Sequence, residues 1–223
     1  SSGKVPLLWD GDAVVWDSLA ILEYLADKVG RDRFWPKDAV ARGMARSMVA
    51  EMHSSYHALR GECPMNVRKR FEGFTPSEAC RQDILRILGL WAEARSRFGS
   101  GGPFLFGTFG AADVYFAPVV SRFISYQIAV PGFAAAYMQA VWEHEWLQTW
   151  IKASDNEEWV IEQYESVAPA PVLAAQAVGP HARILQAVQV ALRRAQHGRG
   201  LQQPRDIRAR LRPHVFQRDI GGH

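Results

Sequence analysis

Cysteine is scarce in this chain. Only Cys63 and Cys80 occur in 223 residues, and without C-x-x-C spacing. That argues against a disulfide frame and a metal centre, and it fits a reducing compartment such as the cytoplasm. No run of about 18 apolar residues occurs, so no membrane-spanning helix is predicted and no membrane partner is expected. The opening, Ser1 to Trp9, also lacks the basic start and long apolar core of a secretory signal. Other absences are local. Residues 167–223 contain nine Arg but no Lys, Trp, Tyr, Asn or Met, and only two acidic residues, whereas residues 1–166 carry 17 basic and 21 acidic side chains. A packed region ending near Glu165 follows, with Ala168-Pro169-Ala170-Pro171 as linker. What is present, 48% hydrophobic and 22% charged residues, is enough for a buried core in one or two domains.

The most informative stretch runs from Gly3 to Val29. Val5 to Trp9 and Ala13 to Trp16 are short apolar runs separated by Asp10-Gly11-Asp12, where glycine readily takes the positive φ of a tight hairpin turn. Leu19, Leu22, Leu25 and Val29 then recur at helical spacing, with Gly30 as a stop. Strand, turn, strand, helix is the expectation. Pro6 removes a ladder donor near the start of the first strand, so either that strand is an edge there or the Val5-Pro6 bond is cis. In both cases the Val5 backbone is free to pair with something outside. Asp17-Ser18 opens the helix, where unpaired N–H groups and a partial positive charge favour a carboxylate. The Ser18 hydroxyl adds a donor, and Asp17 can accept from an ammonium. A ligand with an extended peptide portion and an α-amino acid end matches both features.

Gly3-Lys4-Val5-Pro6 followed by Asp17-Ser18-x-Ala20-Ile21-x-x-Tyr24-Leu25 resembles the second half of the thioredoxin-like domain of cytosolic glutathione transferases, with the zeta- and theta-like motifs of bacterial members. The resemblance implies that Val5, before a cis Pro6, binds the cysteinyl backbone of glutathione. It implies that Asp17 and Ser18 hold the γ-glutamyl end and that Lys4 meets the glycyl carboxylate. Glutathione would be a co-substrate, no metal would be needed, and the second partner would be an electrophilic small molecule. The reaction would be conjugation or a glutathione-dependent cis–trans isomerisation, in a detoxification role and in a homodimer. The family's leading strand, helix and strand, which carry the Ser, Tyr or Cys that activates the thiol, have no counterpart after Ser1. The expectation is a chain lacking that amino-terminal portion, with its catalytic residue unassigned.

The remainder reads as helical. A long helix is predicted from about Asp38 to Arg60, with Met44, Met48 and Met52 on a core stripe beside Ala41 and Ala45. By family analogy this helix flanks the cleft, and Met52, His53 and Tyr56 are candidates for a second-substrate pocket. His53 and His57 lie one turn apart without an acidic partner motif, which suits a cleft-facing or solvated pair better than a metal site. Thr75-Pro76-Ser77-Glu78 has the form of a capping box with Pro at the first helical position, and Ile84, Leu85, Leu88 and Trp91 line the helix that follows to Phe98. Phe104 to Pro118 resembles the buried helix of the family's helical domain. Asp113 there matches the acid of its cap, a structural role, while Gly110 replaces the hydroxyl residue at a cost of a few tenths of a kcal/mol. Pro118 should bend or loosen that helix. Further helices are predicted near Phe133 to His144, Glu145 to Ala153 and Asp155 to Tyr164, with Trp142, Trp146, Trp150 and Trp159 in the core.

The predicted class is mostly α: an all-helical glutathione transferase C-terminal domain (38–166) preceded by a truncated thioredoxin-like α/β piece (1–30) and a connector (31–37). The Arg-rich tail (167–223) reads as a loosely ordered extension. Its segment 181–197 has the pattern of a basic amphipathic helix, the sole feature pointing to membrane or nucleic acid, and neither is the expected partner. The alternative to an enzyme is a non-catalytic scaffold of the same fold.

Overall fold

The computed structural model describes residues 3–165. The predicted tail helix and linker lie outside the described residues. Strands β1 (Leu7–Asp10) and β2 (Ala13–Trp16) pair antiparallel, with Leu7 opposite Trp16 and Asp10 opposite Ala13. The two-residue turn places Gly11 at φ +59°, the conformation for which glycine has no steric cost. Helix α1 (Ser18–Val29) folds back on the hairpin. Asp10 at the turn accepts a hydrogen bond from the Tyr24 hydroxyl at 2.8 Å and pairs with Lys28. Ala26, with Leu19 and Leu22, packs against the helical part, whereas Val29, expected on the same face, is exposed.

The described helical part comprises α2 (Ala39–Ser54), α3 (His57–Glu62), α4 (Glu78–Phe98), α5 (Ala111–Ser125), α6 (Gly132–Trp142) and α7 (Glu145–Asp155). Its centre is Trp91 of α4, fully buried against the rings of Phe116, Phe123 and Tyr137. Met48 and Val49 of α2 lie in the same buried core as Ala26 of α1. Glu23 of α1 and Arg46 of α2 join in a two-pronged ion pair across that junction.

Four local expectations are corrected. The single helix from Asp38 to Arg60 is two, because Tyr56 adopts the left-handed conformation at φ +63°. Arg60 satisfies the carbonyls freed there, donating to Met52 O at 2.6 Å and Ser55 O at 3.1 Å, while Asp83 of α4 accepts from the Leu59 N–H near the start of α3. The cap of α4 is Ser77, not Thr75: its Oγ accepts from the Cys80 N–H at 3.2 Å, and Glu62 from α3 takes the Ser77 N–H. The helix expected over Asp155 to Tyr164 is only a single turn at Glu162–Tyr164. The chain around it is strapped to residues 66–69 by the Arg68 bond to Glu157 O and the Asn66 bond to Tyr164 O.

The tryptophans are the fourth. Trp146, Trp150 and Trp159 are exposed, Trp159 by 82%. The helix breaks at Glu143–His144, so the interval from Trp142 does not carry over into α7. Leu147 and Ile151, one residue further round the turn, take its inner face. Helix α5, by contrast, continues through Pro118, whose carbonyl accepts from Arg122 Nη1 at 3.1 Å.

Candidate functional site

Helices α1, α2 and α5 meet at the N-terminal tip of α1, and the segment before β1 leaves a sheet edge open. The Val5-Pro6 peptide is cis, and Val5 is 91% exposed with no hydrogen-bond partner among the described residues. Regular pairing starts only at Leu7, so a donor and an acceptor of the backbone are left open just before the sheet. Lys4 beside them is exposed.

Asp17 follows β2 and sits at φ +73°, ψ +131°, outside the regions that side-chain-bearing residues favour. Its Oδ1 accepts the Leu19 N–H at 2.8 Å and so caps α1. Its Oδ2 lies 3.0 Å from Nε2 of His53 on α2. The Leu19 N–H, and then the neighbouring imidazole, hold the Asp17 carboxyl below its ordinary value, so it is ionised at neutral pH. Ser18 Oγ accepts from the Tyr115 hydroxyl of α5 at 3.0 Å. Burial pushes the Tyr115 phenol up, which keeps it a donor. The Tyr115 ring meets the edge of His53, with centroids 6.2 Å apart. The helix tip thus shows an ionised carboxylate, a hydroxyl whose own hydrogen is free to donate, and the N–H of Ser18, while the Leu19 and Ile21 N–H groups are taken by Asp17 itself.

Of the residues expected to flank a second substrate, His53 stands at this tip. Met52 and Tyr56 do not: both are buried, and the Tyr56 hydroxyl donates to Glu51, itself clamped by Arg86. His57 opens α3 beyond the break at Tyr56 and is exposed. Tyr115 was missed by sequence reasoning. It lies 97 positions from Ser18, and no local spacing sets its hydroxyl apart from the other polar side chains of α5.

Two residues before Tyr115 on α5, Asp113 is buried, accepting the Leu105 N–H at 3.1 Å through Oδ1 and the Gly110 N–H at 2.9 Å through Oδ2. Burial raises its carboxyl to about 6, against the downward pull of those two bonds. The glycine at 110 has a reason that sequence reading did not supply. A Cβ there would stand 2.9 Å from the Phe34 carbonyl oxygen, which already accepts the Ala111 N–H at 2.8 Å. Asp113 also borders a recess beside Asp32, Trp35, Thr108 and Phe109, whose lining includes none of Asp17, Ser18, His53 or Tyr115. No group of three or more His, Cys, Asp or Glu able to hold a metal occurs among the described residues.

Two family comparisons coincide with these regions. The glutathione S-transferase N-terminal domain family matches residues 1–28, and the glutathione S-transferase C-terminal domain family matches residues 68–153. This chain belongs to the glutathione transferase family. Its fold is similar to that of a crystal structure of a glutathione transferase homolog from Burkholderia gl BGR1 with bound glutathione. The identity is 22% and the TM-score 0.51, with 69% of this chain and 74% of that one covered. The mostly helical architecture with a short α/β piece at the front is the transferase fold, and among the described residues no helix is long and apolar enough to cross a membrane.

Proposed function

We propose that this transferase chain grips glutathione along the Val5-Pro6 edge and at the tip of α1. The observation that carries the proposal is Asp17. A non-glycine residue at φ +73° costs about 1–3 kcal/mol, yet it is held there with its carboxylate ionised and next to a helix N-terminus. In this reading the open Val5 N–H and C=O pair with the cysteinyl backbone as a short extra strand. Asp17 takes the α-ammonium of the γ-glutamyl residue, the Ser18 hydroxyl and N–H take its carboxylate, and Lys4 meets the glycyl carboxylate.

The bound tripeptide then presents its thiol to an electrophilic small molecule, for conjugation or for glutathione-dependent isomerisation. The residue that activates the thiol is not assigned among the described residues. Residues 1–30 form the gripping piece, 31–37 the connector and 38–166 the helical domain, in a homodimeric protein. The buried, unbridged Cys63 and Cys80 support a reducing compartment such as the cytoplasm.

The test is retention on immobilised glutathione together with calorimetry using reduced glutathione. Asp17→Asn preserves the cap acceptor while removing the charge. A charge-assisted hydrogen bond contributes about 1.5–3 kcal/mol, so Asp17→Asn with Ser18→Ala should weaken binding by about 10- to 100-fold with an unchanged circular dichroism spectrum. Equal retention of wild type and double variant overturns the assignment.

A further inference from the structure

We propose that His53 and Tyr115, from two separate helices of the helical domain, are positioning residues that make the site selective for a free α-amino acid end on its ligand. The inference rests on the glutathione reading above and adds how the γ-glutamyl terminus is discriminated. Other contacts also hold α1 in place: Ala26 is buried, Leu19 and Leu22 pack on the core, and the Glu23–Arg46 pair ties α1 to α2. The polar atoms of His53 and Tyr115 are spent on Asp17 and Ser18.

The two contacts are chemically distinct. His53 Nε2 stands against Asp17 Oδ2 while the Leu19 N–H takes Oδ1, so both oxygens are anchored and the carboxylate plane is set. The imidazole edge faces that oxygen at 3.0 Å, and each carboxylate oxygen has a further lone pair for an incoming ammonium. Tyr115 donates to Ser18 Oγ, which turns the Ser18 hydrogen outward and makes the hydroxyl a better donor to a carboxylate through chained polarisation. His53 therefore serves the ammonium of the ligand and Tyr115 its carboxylate. The edge contact between their rings keeps the two supports together over the start of α1. Without them Asp17 and Ser18 would have to be ordered by the ligand itself, at a cost to affinity.

This division predicts a pattern that a general packing role would not produce. Three ligands separate the two ends: glutathione; glutaryl-Cys-Gly, which retains the carboxylate and lacks the ammonium; and 4-aminobutyryl-Cys-Gly, which retains the ammonium and lacks the carboxylate. Calorimetric Kd values on the full chain should show Tyr115→Phe weakening glutathione and glutaryl-Cys-Gly by about 3- to 10-fold, with 4-aminobutyryl-Cys-Gly unchanged. His53→Ala should weaken glutathione and 4-aminobutyryl-Cys-Gly by a similar factor and leave glutaryl-Cys-Gly unchanged. His53→Asn, which retains a donor on a shorter side chain, should recover part of the loss. Uniform weakening across all three ligands, or tighter binding after either substitution, overturns the proposal while wild-type binding of glutathione leaves the reading above standing. Absence of glutathione binding by folded wild type overturns both.

Discussion

Replacing Asp113 by alanine tests the account of the helical part most severely. Its carboxylate accepts the N–H groups of Leu105 and Gly110, and Leu105 is fully buried, so the substitution leaves a donor without a partner in an apolar setting. Two hydrogen bonds to a charged acceptor contribute about 3–6 kcal/mol together, and removing a buried charge recovers part of that, so a net loss of about 3 kcal/mol is expected at pH 8. The cost must also depend on pH. Burial raises the folded-state carboxyl from 3.8 to about 6. The folded protein therefore holds the proton more tightly than the unfolded chain, and the associated stabilisation, complete below pH 3.8, is lost as the pH rises through about 6. At about 1.36 kcal/mol per pKa unit, alanine at this position should cost about 1.4 kcal/mol more at pH 5 than at pH 8. Urea unfolding followed by circular dichroism at both pH values, with a constant m-value, reads this directly. A loss under about 1 kcal/mol at pH 8, or a larger loss at pH 8 than at pH 5, would refute the reasoning.

Two further substitutions separate close approach and strain from intrinsic preference. Gly110→Ser restores the hydroxyl that a reciprocal cap would use, yet its Cβ would press on the Phe34 carbonyl oxygen at 2.9 Å; denaturant melts should show a loss of about 1–2 kcal/mol, and a gain would mean that the contact yields freely. Asp17→Gly relieves the backbone at φ +73° and loses only a few tenths of a kcal/mol of capping, together with the partly exposed contact to His53. The thermal midpoint should hold or rise while retention on glutathione resin disappears. A clear fall in the midpoint would show that Asp17 serves stability and not ligand.

The physical basis of what could be read in advance is local. The hairpin, α1, the Gly11 turn and the open Val5-Pro6 edge follow from alternation, helical periodicity, a positive-φ glycine and a missing donor, all of which act within a few residues. The pairing of Gly110 with Asp113 likewise spans three residues and was visible as a cap. Where local preference had competitors, reading failed. Ser77 prevailed over Thr75 because Glu62, fifteen residues earlier, reaches its N–H, and the exposed tryptophans of α7 kept helical spacing on a face that Leu147 and Ile151 had already taken.

The amino-acid order alone determined the open strand edge and the polar helix tip, since each is written in adjacent residues whose backbone chemistry needs no distant partner. Folding in three dimensions settled what stands around that tip. His53 and Tyr115 reach Asp17 and Ser18 only because α2 and α5 pack beside the start of α1, bringing together side chains separated by as many as 97 positions. No periodicity or spacing encodes such a contact; it arises from burial of the faces on the other side of those helices.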